Sequence, residues 1–166
     1  MPLPPLDRGP KENDYDRMLL ESLTLIDTCR RYNSWLASHF IPWLRGDVIE
    51  IGSGIGSLAQ YYDRDSVRSA FLTDISPLML RRLEDRFGAH PKCHIRELDI
   101  LAPSGLPADM LARFDCLICL NVLEHIEDDR QALARMYDML KPGGRLLLLV
   151  PALPLLYGSI DKAAGH

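Results

Sequence analysis

Short apolar runs alternate with amphipathic segments along most of this 166-residue chain. A segment that opens with Ser76-Pro77 and stops at Gly88 has the N-cap, first-position proline and terminal glycine of a helix. A second segment repeats apolar residues at helical spacing until Lys141-Pro142-Gly143-Gly144 ends it. The predicted apolar faces are Met79/Leu80, Leu83 and Phe87 in the first helix, and Leu133, Met136/Tyr137 and Leu140 in the second.

Five apolar runs have the length of buried strands, and they are residues 48–51, 70–73, 95–98, 116–120 and 146–150. Strands that alternate with helices and are apolar on both faces indicate a parallel sheet covered on both sides. The predicted fold class is therefore α/β, with a doubly wound, mostly parallel sheet.

The remaining segments complete one predicted domain. Residues 1–14 hold four prolines and little apolar content, which is typical of a flexible arm. Residues 15–44 form an N-terminal helical segment that we expect to pack on the core through Met18/Leu19, Leu23, Ile26 and Trp35/Leu36. The core then covers 46–150 and a tail covers 151–166, so that 15–166 is a single domain, as the chain length favours.

Charge and hydropathy restrict the kinds of partner that this chain is expected to bind. Nineteen Lys and Arg against 23 Asp and Glu give a net charge of −4 without a basic stripe, which disfavours nucleic acid. The longest apolar stretch, from Leu146 through Tyr157, is broken by prolines and too short to cross a bilayer, and no secretory signal opens the chain. We therefore expect a cytoplasmic protein without a membrane span.

Cys116 and Cys119 form the one CxxC spacing in the chain. They lie inside a predicted strand, where residues three apart point to opposite faces and cannot share a disulfide or a metal ion. We expect two buried, inert thiols and no metal site.

A glycine-rich turn follows the first predicted strand, at Gly52, Gly54 and Gly56, and Asp74 ends the second strand 20 residues after Gly54. We expect the turn to open a helix. In doubly wound sheets ligands bind beyond the carboxyl ends of the strands, and an acidic residue at this distance reaches ribose hydroxyls. Taken alone, Asp74 serves equally well as the turn residue before the next helix. The full order of strand, glycine turn, helix, strand and acid favours a nucleoside ligand.

Two details separate a dinucleotide from S-adenosylmethionine. The dinucleotide fingerprint needs a third small residue where this chain has Ser57, and the pattern here is GxGxG instead. Glu50 places a negative charge where pyrophosphate is disfavoured but an ammonium or a sulfonium is tolerated. The balance favours the sulfonium ligand.

Five ordered motifs resemble those of the class I S-adenosylmethionine-dependent methyltransferases. They are Val48-Ile49-Glu50-Ile51-Gly52-Ser53-Gly54-Ile55-Gly56, Leu72-Thr73-Asp74-Ile75-Ser76, Leu98-Asp99-Ile100, residues 114–126 (FDCLICLNVLEHI) and residues 140–145 (LKPGGR). The resemblance covers about residues 32–166 and implies a Rossmann-like sheet of order 3-2-1-4-5.

The same resemblance implies roles for single residues in a site for S-adenosylmethionine and its product S-adenosylhomocysteine. Gly52, Ser53, Gly54 and Gly56 would pass under the methionine part, and Glu50 belongs to the same motif. Asp74 would bind the ribose hydroxyls, Ile75 the adenine face, Asp99 the adenine amino group, the Ile100 amide a ring nitrogen, and the Asn121 carbonyl the methionine ammonium. The segment Tyr32 to Trp35 resembles one that lids the cofactor, although an aromatic residue on a helix is more often part of the core.

His125 is the candidate general base if the acceptor needs to lose a proton, with a role in opening the next helix as the alternative. No other residue is predicted to be catalytic. The segment with Tyr157, Asp161 and His166 resembles the region where the acceptor approaches in some bacterial small-molecule methyltransferases.

The family's sheet ends with two further strands, and the 16 residues after Val150 are too few for them. We therefore expect strands 6 and 7 to be missing from a truncated chain, with the fifth strand as an apolar edge. Such an edge predicts a homo-oligomer, strand exchange, or cover from the helices or the tail.

Three functions follow. The first is methyl transfer from S-adenosylmethionine to a small-molecule acceptor. The second is a non-catalytic module or subunit that binds S-adenosylmethionine. The third, less favoured, is a NAD-dependent oxidoreductase.

Overall fold

The computed structural model describes residues 14–151. The helices are α1 (Asp14–Thr28), α2 (Arg30–Phe40), α3 (Pro77–Phe87) and α4 (Asp129–Met139), and the strands are β1 (Gly46–Ile51), β2 (Val67–Asp74), β3 (Cys93–Glu97), β4 (Phe114–Leu120) and β5 (Leu140–Leu149). Short 3₁₀ helices occupy Ile41–Trp43, Ala59–Tyr61, Ala108–Met110 and Leu123–His125. Residues 1–13 of the expected arm, all but the first residue of the tail, and Tyr157, Asp161 and His166 lie outside the described residues, whereas Asp14 begins α1.

The five strands form one parallel sheet in the order β3-β2-β1-β4-β5. This confirms the α/β class, the doubly wound sheet and the expected strand order. The observed strands begin earlier than the apolar runs, because polar residues at the start of each strand still pair with their neighbours. β1 is the central strand, with β2 on one side and β4 on the other. The strand order changes direction between β1 and β4, and in doubly wound sheets ligands bind at the carboxyl ends of the strands at such a point.

Helix α3 forms as its sequence predicts. The Ser76 hydroxyl accepts a 3.5 Å hydrogen bond from the Met79 amide, and Pro77 occupies the first helical position. Met79 and Leu83 are fully buried and face the sheet. The helix therefore covers the sheet with the apolar stripe that its periodicity indicated.

The core has two parts, one on each face of the sheet. Alternate residues of β1 divide between them, since Ile49 belongs to one cluster and Val48 to the other. Cys119 and Cys116 divide in the same way and are both fully buried, which confirms that they point to opposite faces. Burial raises the pKa of Cys116 to about 11 and that of Cys119 to about 12, so both thiols are neutral and inert at ordinary pH.

The helix expected directly after the glycine turn does not form. The chain makes only the 3₁₀ turn Ala59–Tyr61 there, and the Arg64 amide then bonds to the Tyr62 carbonyl to lead into β2. Ten residues between Gly56 and Val67 leave no room for a three-turn helix and two connections. The link between β3 and β4 is likewise covered only by the 3₁₀ helix Ala108–Met110.

Residues 141–144, which the sequence predicted to end the second helix, lie within β5. Phe114 pairs with Leu140 and Cys116 pairs with Arg145, so four residues of β5 lie opposite the single residue Asp115 and bulge out of the sheet. Leu140 consequently belongs to the strand and not to the helical face predicted for it.

Several aromatic and apolar residues predicted to be buried are exposed. Trp35 is 59% exposed and Tyr137 is 77% exposed, and Met18 and Ile26 also face outward. In α4 the buried set is Ala132, Met136 and Met139, which rotates the apolar stripe away from Tyr137. In α2 the buried residues are Asn33, Leu36 and Ala37, because the Asn33 side-chain amide donates to the Ile26 carbonyl at 2.9 Å and turns that face inward.

An ionic network closes the amino ends of the central strands. Lys141 contacts Asp115 at 2.7 Å and Asp47 at 3.3 Å, and Arg68 forms a bidentate pair with Asp47. These cations hold the pKa of Asp47 well below its usual range. The network joins β1, β2, β4 and β5 at the end of the sheet opposite the glycine turn.

Strand β5 lies at one edge of the sheet, and none of the described residues pairs with its outer side. Leu148 and Val150 are partly exposed there. None of the helices in residues 14–151 has the length and apolar character that a bilayer crossing requires.

Candidate functional site

The glycine turn between β1 and the next element depends on backbone conformations that favour glycine. Gly52 and Gly56 have φ of +68° and +76°. A Cβ at Gly52 would lie 2.5 Å from a methyl group of Val122, and one at Gly56 would lie 2.4 Å from the ring of Phe87. The turn therefore packs tightly against the residues after β4 and against α3.

Asp74 is hydrogen-bonded directly to this turn. Its Oδ2 accepts from the Gly54 amide at 2.9 Å, and its Oδ1 accepts from the Ser76 amide at 2.9 Å. The carboxylate thus joins the ends of β1 and β2, and it also serves as the turn residue before α3. The turn-residue alternative is therefore confirmed, whereas the binding of ribose hydroxyls stays a prediction, for which each carboxylate oxygen can accept a further hydrogen bond.

Ser53 and Thr73 connect the same two strand ends. The Ser53 amide donates to the Thr73 carbonyl at 2.8 Å, and the Thr73 amide donates to the Ser53 hydroxyl at 3.1 Å. The Thr73 hydroxyl donates to the Glu50 carbonyl at 2.7 Å. Ser53 and Thr73 are buried, so these bonds hold the turn in one position relative to Asp74.

Glu50 lies beneath the turn, 5% exposed, on the face of the sheet that carries Val48. Burial is the main cause that raises the pKa of its carboxyl from 4.5 to about 8, with a contribution from the charge of Asp74. The approach of the Tyr62 and Ser53 hydroxyls acts in the opposite direction. At neutral pH this carboxyl is therefore mostly protonated.

The segment after β3 holds the next predicted residues. The Asp99 side chain is exposed and accepts from the Leu101 amide at 2.8 Å, whereas the Ile100 side chain is buried. Ile75, after β2, is 61% exposed, which leaves an apolar side chain open beside Asp74.

Arg135, a residue that sequence reasoning missed, positions this segment. Its Nη1 donates from α4 to the carbonyls of Ile100 and Ala102 at 2.8 and 2.9 Å. No sequence motif predicts this role, because an arginine on a helix is ordinarily a solvated surface residue.

We expect Arg135→Gln to weaken the binding of S-adenosylhomocysteine by about three- to tenfold, because it loosens the Ile100 segment but removes no contact with the ligand itself, so that only part of the energy of the lost hydrogen bonds appears in the affinity. Calorimetric titration measures this, and Arg130→Gln, an exposed residue near the start of the same helix, is the matched control. Equal dissociation constants for the two variants would show that Arg135 does not position the segment.

Asn121 follows β4 with φ of +52°, a left-handed conformation that asparagine tolerates better than most residues. Its amide donates to the Leu149 carbonyl at 2.9 Å, and its side chain is exposed. His125 lies at the end of the following 3₁₀ helix, also exposed. Both residues lie on the segment that contains Val122, the residue packed against Gly52.

Helix α1 also contacts the turn, which the sequence did not indicate. Leu23 of α1 would be 2.9 Å from a Cβ at Gly54. Arg86 of α3 donates to the Ile55 carbonyl at 2.7 Å, and it also pairs with Asp27 of α1 at 3.5 Å.

The segment Tyr32 to Trp35 places both aromatic side chains on the exposed side of α2. The core alternative for Trp35 is therefore wrong, and the lid stays a prediction.

The residues brought together at this end of the sheet are thus the glycine turn, Glu50 and Asp74, with the segments at Asp99 and Asn121 after the flanking strands. Among residues 14–151 no group of three or more His, Cys, Asp or Glu side chains is arranged to hold a metal ion. Sheet order, glycine turn and carboxylate together define a Rossmann-like domain of the methyltransferase type.

Comparison with known proteins agrees with this assignment of the domain to the methyltransferase type. The family model described as "Methyltransferase domain" matches residues 49–146, so the chain belongs to the methyltransferase-domain family, and to its class I, S-adenosylmethionine-dependent branch. An uncharacterised methyltransferase of Mycobacterium tuberculosis is 37% identical over 113 residues, which are 66% of this chain and 52% of that protein. The ubiquinone biosynthesis O-methyltransferase of Azotobacter vinelandii is 28% identical over 68% of this chain and 47% of its own length.

Among solved structures, the CurJ carbon methyltransferase superimposes with a TM-score of 0.56 at 29% identity, over 63% of this chain and 29% of that one. The chain spans about half of the length of the mycobacterial and Azotobacter relatives, and a much smaller share of the polyketide synthases that it also matches.

Proposed function

We propose that this chain binds S-adenosylmethionine and transfers its methyl group to a small-molecule acceptor. The observation that carries the proposal is the hydrogen bond between the Asp74 carboxylate and the Gly54 amide. It joins the carboxylate proposed for the ribose hydroxyls to the turn proposed for the methionine part of the ligand.

The residues present fit this cofactor. Glu50 Oε2 is buried with no hydrogen-bond partner among the described residues. A carboxyl in that condition favours a ligand that brings a positive charge, such as an α-ammonium or a sulfonium. When bound, S-adenosylmethionine supplies an activated methyl group on sulfur, so the protein's contribution is mostly positioning.

Each expected site residue keeps its proposed role. Gly52, Ser53, Gly54 and Gly56 form the surface under the methionine part, and Asp74 binds the ribose. Ile75, Asp99 and the Ile100 amide surround the adenine, and Asn121 offers its carbonyl to the ammonium. The exposed side chain of Ile75 and the acceptor capacity of Asp99 support this arrangement.

The acceptor is proposed as a small molecule on the strength of the family, the net charge of −4 and the absence of a basic stripe in the sequence. The relatives' own names include transfer to oxygen and to carbon. For an oxygen acceptor, His125 remains the candidate base. Cytoplasmic location and self-association through the β5 edge also remain proposals.

Calorimetric titration with S-adenosylhomocysteine tests the proposal. We expect saturable binding of one ligand per chain that S-adenosylmethionine displaces and NADH does not, because Ser57 stands where the dinucleotide fingerprint needs its third small residue. Absence of binding would contradict the proposal, and competition by NADH would favour the oxidoreductase. Binding of S-adenosylhomocysteine without methyl transfer to any small-molecule acceptor would favour the hypothesis of a non-catalytic binding module.

A further inference from the structure

Three buried polar atoms have no hydrogen-bond partner among the described residues, and all three lie between residues 50 and 62. They are Glu50 Oε2, the Ser57 hydroxyl and the Tyr62 hydroxyl. Buried polar groups are almost always hydrogen-bonded, and each exception costs free energy. Each of the three therefore keeps hydrogen-bonding capacity that the described residues do not use.

Glu50 and Tyr62 face each other within this group. Tyr62 follows the 3₁₀ helix Ala59–Tyr61 and is 4% exposed, with its ring in the same core cluster as Val48. Its hydroxyl approaches the Glu50 carboxyl closely enough to lower the pKa of that carboxyl. Yet neither the hydroxyl nor Oε2 has a hydrogen bond of acceptable length and angle. The two groups form a buried pair whose hydrogen bond is not made in this structure.

The structure points to a role for this pair, which rests on the proposed function. We propose that Tyr62 is a positioning residue whose hydroxyl donates to ionised Glu50, so that binding of the cofactor's ammonium is coupled to the loss of one proton from Glu50 to solvent. The carboxylic O–H bond breaks, the proton goes to the buffer, and the carboxylate then faces the ammonium and the phenol. No redox change or other co-reactant is involved.

The other groups near Glu50 do not compete for this titration near neutral pH. Burial and the Glu50 charge raise the pKa of Tyr62 well above 10, so its phenol stays a donor. From β4, Cys116 faces Tyr62, and Cys119 lies within reach of the Glu50 charge, with pKa values raised to about 11 and 12. Asp74 acts on Glu50 from β2, and its charge favours the protonated form of Glu50.

The test is calorimetric titration of the whole chain with S-adenosylhomocysteine between pH 6 and pH 9, in two buffers of different ionisation enthalpy. We expect release of nearly one proton per bound ligand at pH 7, and a dissociation constant about tenfold higher at pH 6 than at pH 7. Glu50→Gln should bind more weakly, with no proton release from this site and little change over the same range.

Tyr62→Phe removes the donor that favours the ionised form, so its dissociation constant should rise severalfold at pH 7 and continue to fall with pH beyond the wild-type plateau. Tyr61→Phe is the matched control, since Tyr61 adjoins Tyr62 but has no contact with Glu50, and it should follow the wild type. A purely structural role for Tyr62 would change the affinity without moving the pH profile.

Binding of S-adenosylhomocysteine without proton release, or with less than a twofold change between pH 6 and pH 7, overturns the coupling while leaving the proposed function intact. Identical profiles for Tyr62→Phe and Tyr61→Phe overturn the role of Tyr62. The wild-type measurements alone decide the coupling if either variant fails to fold. No binding at any pH overturns the proposed function and this inference together.

Discussion

Asp74→Ala should reduce the affinity for S-adenosylhomocysteine by a hundredfold or more. The substitution removes the acceptor proposed for the ribose hydroxyls and also the acceptor of the Gly54 amide, so the ligand loses contacts and the turn loses its anchor. Two hydrogen bonds to a charged group are worth about 3 kcal/mol or more, which corresponds to that factor. Calorimetric titration at pH 7 measures the loss.

Two comparison variants separate ligand binding from folding. Asp85→Ala removes an exposed carboxylate on α3 and should bind like the wild type. Asp74→Asn keeps the size and one acceptor oxygen, so it should melt closer to the wild type than Asp74→Ala while still binding at least tenfold more weakly. An Asp74→Ala protein that remains folded and binds normally would refute the role of Asp74.

Glu50→Gln should stabilise the protein in the absence of ligand, by roughly 2 to 3 kcal/mol at pH 7. The folded state raises the pKa of Glu50 from 4.5 to about 8, so it retains a proton that the unfolded chain releases. Stability is therefore lost as the pH rises above 4.5, and the loss levels off above pH 8. Glutamine carries no such titration, although its buried amide keeps part of the cost of an unpartnered polar group.

Urea unfolding at pH 5, 7 and 8 measures this effect. The advantage of Glu50→Gln should shrink below about 1 kcal/mol at pH 5 and be largest at pH 8. Glu97→Gln, at the exposed end of β3, is the control and should change stability little at any of these values. A destabilised Glu50→Gln, or a difference that does not depend on pH, would contradict the raised pKa.

The two expected effects of Glu50→Gln have opposite signs. The carboxyl costs stability while it is buried without a charged partner, and it aids the proposed ligand when that ligand brings a positive charge. Such an exchange of stability for binding is common where a site needs a polar group in an apolar surrounding. Together the two measurements would distinguish a functional carboxyl from one that merely fills space.

Local patterns in the sequence were sufficient for much of the fold. Residues apolar on both faces predicted buried parallel strands, the capping serine and proline predicted α3, and the two-residue period of a strand placed Cys116 and Cys119 on opposite faces. The strand order came from the family resemblance. The same resemblance, with the 20-residue spacing, also predicted one site that contains both the glycine turn and Asp74, and the structure adds the hydrogen bond between Asp74 and the Gly54 amide.

What the sequence by itself determined are the features set by residues near one another along the chain: strand periodicity, the cap of α3, and the glycine turn with the carboxylate one strand later. Only the tertiary structure decided that the chain after Gly56 makes a 3₁₀ turn, that Arg135 holds the carbonyl of Ile100, and that Tyr62 faces Glu50. These depend on how much room the neighbouring elements leave and on which side chains meet across the sheet. The spacing of residues along a single segment encodes neither the available room nor the contacts across the sheet.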